Sequence, residues 1–205
     1  MSTNYEKIIR ENLSGFYAQL PRKGVEIYLG AETKGDVFGF RAFGEDCRIV
    51  PDDITLSGET VVDPKGVLIS LYALHAGPDP VRLKPLKAFK DLPGSMPYWG
   101  AFSANSERVL IPHVPSIQEK QEKIKTIFDG LDGPPDSGGD LSFILFPLPK
   151  IALCYIFYLP DDEFPASATC LFSANALSYM PLDGLADVAE YTSRKIIELL
   201  LADNE

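Results

Sequence analysis

Residues 141–165 read LSFILFPLPKIALCYIFYLPDDEFP. Within them, Ile151–Leu159 is a run of nine residues with no charge, glycine or proline. A run that short, rich in aromatic and β-branched side chains, favours a strand over a helix. It shows no polar alternation, so both of its faces have to be covered. Leu141–Phe146 before it is apolar except for Ser142. The link Pro147-Leu148-Pro149-Lys150 is too proline-rich to continue either strand, and far too short for a parallel crossover. The stretch therefore predicts two antiparallel neighbours in the middle of a sheet. Pro160 and the acidic run Asp161-Asp162-Glu163 follow directly. This corner reads either as a solvated turn at the sheet edge or as a polar mouth, carried by a rigid strand, for a ligand or cation.

Outward from this hairpin the chain alternates apolar runs with Pro/Gly turns. Thr3 and Glu6 form a T-x-x-E capping box for a helix over about 4–19, closed by Pro21. Val25–Leu29 predicts a strand. Asp36–Phe43 and Asp46–Val50 flank Gly44-Glu45 and predict a hairpin with a type II′ turn, with Phe38 and Phe40 on one face. Ile54–Leu56 adds a short strand. Asp63-Pro64 supplies an N-cap and first-turn proline for a helix that ends at Gly77-Pro78, with His75 partly buried in its last turn. A short strand is expected near Leu83–Phe89, then an irregular segment, LPGSMPYW. Ser116 caps a helix to Phe128, and GPPDSGGD (133–140) is a loop. Ala168–Phe172 is a further strand, and a helix over about 184–202 closes the pattern, with an apolar stripe of Leu185, Val188, Thr192, Ile196 and Leu199. The fold class is α+β: one mainly antiparallel sheet with helices packed on it, in a single domain over 1–205.

The 205 residues are enough for a sizeable core. A net charge of −10, with no Lys/Arg cluster, argues against nucleic acid and against anionic membrane surfaces. MSTNYEKII lacks the pattern of a secretory signal, and no apolar run reaches the length of a membrane span. Cys47, Cys154 and Cys170 are odd in number and widely spaced, as buried thiols in a reducing cytosol would be. The expectation is a cytoplasmic protein.

There is no Walker loop, no G-x-G-x-x-G, no nucleophile elbow, and no Cys/His spacing for zinc or an iron–sulfur cluster. The residues left with chemistry to offer sit on loops and strand ends: Tyr98 and Trp99, Lys150, Asp161 to Glu163, and Tyr179, of which Tyr98, Trp99, Asp162, Glu163 and Tyr179 are the candidate ligand-binding set. Lys150 stands at the other end of its strand from the acidic corner, so the two cannot share one small site. The favoured location is between LPGSMPYW and the corner, with aromatic area and carboxylate orientation for a small molecule or cofactor. For a loop such as LPGSMPYW a plug of the core is the commoner role, and the wall of a pocket is the other. The alternatives are an enzyme with Asp162 or Glu163 as general base, and a structural subunit whose apolar patch another chain covers.

LPGSMPYW, LPKIALCYIFYLPDDEFP, CLF (170–172) and YMP (179–181) resemble an uncharacterised family of bacterial and archaeal proteins. It is a domain of unknown function, frequent in anaerobes, and some relatives carry an added iron–sulfur module. Glu163, Phe164 and Pro165 match its pattern. Arginine stands there in place of Lys150, tryptophan near Tyr158, and aspartate in place of Ser173. The resemblance implies a setting in anaerobic redox or metallo-cofactor metabolism; the first expectation for function is a non-catalytic module that binds a small molecule or cofactor or docks on a redox partner. It implies no activity and names no cofactor.

Overall fold

The computed structural model describes residues 4–19 and 24–202. The capping box at Thr3 and the stop at Pro21 lie outside those residues. Helix α1 (Asn4–Ala18) buries Ile9, Leu13 and Phe16, a stripe at helical spacing. Val25–Leu29 is a one-turn helix, α2, rather than the predicted strand. Val25 and Leu29 are both buried one turn apart, and Gly24 and Gly30, both left-handed, bracket the segment.

Five strands follow as a meander in chain order: β1 (Glu32–Lys34), β2 (Val37–Ala42), β3 (Glu45–Val50), β4 (Asp53–Leu56) and β5 (Glu59–Thr60). Ala42 pairs with Glu45, so the β2–β3 turn is Phe43-Gly44, one residue before the expected position. Both residues have positive φ, 52° and 80°, which makes the turn type I′ instead of II′. Helix α3 (Pro64–His75) starts as read: Asp63 accepts the Gly66 N–H at 3.1 Å. His75 is exposed, not partly buried. Asp63→Ala should lower stability by about 1 kcal/mol, seen as a lower urea midpoint at unchanged slope.

The predicted strand at 83–89 shrinks to β6 (Lys87–Ala88). Helix α4 (Trp99–Phe102) runs into a π turn, Ser103–Glu107, and a 3-10 stretch, Arg108–His113. The single helix expected from Ser116 is two, α5 (Val114–Glu119) and α6 (Gln121–Ile127), broken at Lys120 (ψ 14°). A proline in the first turn starts α5 early, which puts Ser116 inside it. Strands β7 (Leu131–Asp132), β8 (Leu141–Leu148), β9 (Ile151–Tyr158) and β10 (Ser167–Phe172) precede helix α7 (Leu182–Leu201).

The α+β class holds, but among the described residues the strands form two five-stranded antiparallel sheets instead of one. The second has the order β6-β10-β9-β8-β7, with β9 at its centre. The seam between the sheets is at Pro147. β8 runs through this proline, past a bulge between Leu145 and Leu148, further than the sequence allowed. Phe43 donates its N–H to the Pro147 carbonyl at 2.7 Å. Proline has no N–H to return, so no ladder forms and the sheets stay separate.

Both faces of β9 are covered, which explains its lack of alternation. Leu153, Tyr155 and Phe157 join the main core, which is continuous between the two sheets and includes α7 residues Leu185, Val188 and Ile196. Ala152, Cys154 and Ile156 pack with Ile144 beneath Val81, Leu83 and Leu86. The three cysteines are buried and free. Burial pushes the Cys47 thiol up to about 12 and that of Cys154 to about 11, and it also raises Cys170. Among the described residues no helix is long and apolar enough to cross a membrane.

Candidate functional site

The five residues singled out in the sequence fall into two groups at opposite ends of β10. Trp99 opens α4 and lies 6.1 Å from the Phe102 ring, which stacks on Phe89 at 4.2 Å and contacts Phe172. Phe172 ends β10, whereas the acidic turn precedes Ser167 at its start. Five steps along the strand separate the two ends, roughly 16 Å at ~3.3 Å per residue. Tyr98 is exposed beside Trp99, on a 3-10 turn.

Tyr179 belongs to the far group and is fully buried. Its hydroxyl donates to the Asp79 carbonyl at 3.0 Å and accepts from Asn175 Nδ2 at 2.7 Å. Lys150 lies 5.6 Å from its ring centre and donates to the carbonyls of Gly77 and Asp79. Desolvation lowers the Lys150 pKa. These bonds tie the loop after α3 to the β8–β9 turn, and they occupy the polar atoms a ligand would need.

Asp162 and Glu163 are exposed. The side chain of Asp161 organises their turn, accepting the N–H groups of Glu163 and Phe164 at 2.8 and 2.7 Å. Those bonds hold the Asp161 carboxyl below its usual range. The corner is a self-capped solvated turn, without the dry pocket that general-base chemistry requires.

A cleft of about 670 Å³ lies elsewhere, against the outer face of β2 and β3. Gly39, Arg41, Asp46 and Arg48 line it from the meander, and Phe146 and Pro149 from the β8–β9 hairpin. The corner between α2 and β1, including Glu32, closes one side. That corner packs tightly on the hairpin: a Cβ on Gly30 would sit 2.9 Å from the Pro149 Cβ. Arg41 is held on four sides. It donates to the carbonyls of Gly44 (2.6 Å) and Ile127 (3.2 Å) and pairs with Asp46 (3.4 Å) and Asp129 (3.3 Å). No serine, threonine, histidine or lysine is among the described lining residues, and Cys47, which touches the cleft, is a protonated thiol at neutral pH. The arrangement can hold a polar molecule against apolar area, but it offers no activated nucleophile.

One buried carboxylate escaped the sequence reading. Glu107 is 6% exposed and ends the π turn. Its Oε1 accepts the Cys170 N–H at 3.1 Å. β6 pairs with β10 only at Leu171 and Phe172, so Glu107 supplies the acceptor that a longer edge strand would have provided. Burial raises its pKa; the Cys170 N–H and Ser103 oppose the shift. Nothing in SANSER marks one of its polar residues for the core. Among the described residues no group of three or more His, Cys, Asp or Glu side chains converges as a metal site would.

No curated protein and no solved structure matches the chain. The sequence model of one family, described as a domain of unknown function, does match, over residues 24–195. With both sheets and most of α7 inside that span, the chain belongs to the DUF3786 family.

Proposed function

We propose that this protein is a non-catalytic module that binds a small molecule, with the cleft between the β2–β3 face and the β8–β9 hairpin as its site. The observation that carries the reading is the cleft itself. Its volume, about 670 Å³, falls in the range of small-molecule sites, and it joins apolar wall to fixed charge without a catalytic set. We place the module in the cytosol, beside anaerobic redox or metallo-cofactor metabolism. The support for that setting is the resemblance of LPGSMPYW and LPKIALCYIFYLPDDEFP to a family frequent in anaerobes.

A fragment library screened by amide NMR on the whole chain tests the site. Hits should move the amides of 39–48 together with those near Phe146. Hits that cluster instead on Trp99 or on residues 161–165 would move the site to the location read from the sequence.

A second reading, docking on a redox protein, is favoured by one observation. Met96 and Tyr98, neighbours on one 3-10 turn, are 70% and 53% exposed. Large apolar side chains left in water are what a partner covers.

A further inference from the structure

The cleft contains a lateral row of residues whose order points to a ligand class. Across the first sheet Glu32 pairs with Gly39, and Gly39 with Arg48. Directly paired residues on neighbouring strands share a face. A carboxylate and a guanidinium therefore flank a bare glycine, two strand spacings apart, about 10 Å between their backbones. All three line the cleft.

Neither the fold nor crowding demands glycine at this position. Gly39 is absent from the positive-φ residues, and a Cβ there would meet only the Cys47 carbonyl, at 4.0 Å. Glycine inside a strand weakens it and often marks the close approach of a ligand. Nor are the flanking charges spent on each other. Among the described residues neither Glu32 nor Arg48 has an ion pair or a side-chain hydrogen bond, whereas Arg41, in the same cleft, is fully engaged. The lining holds three carboxylates against two guanidiniums, which disfavours a polyanion. A molecule with one group of each sign fits both free charges at once.

Resting on the proposed cleft, we infer that the ligand is a small zwitterion of the amino-acid class. Its backbone lies over Gly39, its carboxylate on Arg48, its ammonium on Glu32, and its apolar side chain toward Phe146 and Pro149. Arginine is suited to the carboxylate because its fork donates two parallel bonds.

Titration of the whole chain with L-phenylalanine, phenethylamine and 3-phenylpropionate, followed by amide NMR, tests this class. L-phenylalanine should bind at least about ten-fold tighter than either single-charge analogue, since charge-assisted bonds are the strong ones. Arg48→Met should reduce L-phenylalanine to the level of phenethylamine and leave phenethylamine unchanged. Glu32→Gln should do the same relative to 3-phenylpropionate. Gly39→Val, a strand-favouring change into open space, should block all three in a folded protein. Equal binding of the three compounds, or indifference to Arg48→Met, overturns the zwitterion and leaves the cleft standing. If no compound moves an amide within residues 39–48, the cleft reading falls with it.

Discussion

Gly139→Ala should lower the unfolding free energy by about 3–4 kcal/mol, whereas Gly138→Ala, its neighbour, should cost only about 1 kcal/mol. Both glycines have left-handed φ, 78° and 77°. The backbone penalty is therefore shared, and the surroundings decide the difference. A Cβ at 139 would stand 2.6 Å from the Ile156 Cγ2 and 2.8 Å from the Phe157 carbonyl oxygen. At 138 it meets only the Tyr158 hydroxyl, at 3.3 Å, the free end of an exposed side chain. Relief at 139 would require β9 to shift, and the adjacent Asp140 N–H already bonds the Phe157 carbonyl at 2.9 Å. Urea midpoints of the two variants measure the gap. Equal losses would show that the loop yields and that β9 is not the fixed element of the second sheet.

Glu107 carries the second large effect, and it has a pH signature. Burial raises its carboxyl above the ordinary 4.5, so the folded chain keeps this proton to higher pH than the unfolded chain does. The stability contributed by this group is whole below pH 4.5 and declines as pH rises through the folded-state value. Glu107→Gln cannot ionise and still offers an oxygen to the Cys170 N–H. Its stability relative to the native chain should therefore climb from about pH 4.5 upward and level off once Glu107 is ionised in the native protein. Glu107→Ala instead strands a buried N–H at all pH values, a loss of about 1–3 kcal/mol before any lost packing. Urea midpoints from pH 4 to 8 distinguish the two. Parallel curves for Glu107→Gln and the native chain would mean that the carboxyl is not desolvated.

How legible each part was follows from how local its determinants are. The β8–β9 hairpin, α3 and α7 were readable because uncharged runs, an Asp-Pro start and a helical stripe are each contained in one segment. α2 was misread because five apolar-rich residues carry too little period to separate strand from helix. Residues 99–113 hold short α, π and 3-10 turns in succession, and such a mixture has no single repeat. The second sheet was missed because the division depends on which edge of β8 Pro147 faces, a tertiary fact. The cleft was invisible for a related reason. The row Glu32–Gly39–Arg48 exists only after two turns have set the strand registers, and the type I′ turn fell one residue from where the pattern put it. The aromatic and acidic segments stood out in the sequence for their composition, but the fold sets them at the two ends of β10.

The placement of the three cysteines makes the chain its own gauge of breathing. Thiol reagents attack the thiolate, and here each sulfur is both enclosed and held protonated by its surroundings. Modification therefore waits for an opening event. Cys47 samples the meander, while Cys154 and Cys170 belong to different sides of the second sheet. Three separately resolved labelling rates would thus report whether the layers on either side of Pro147 loosen together or one at a time.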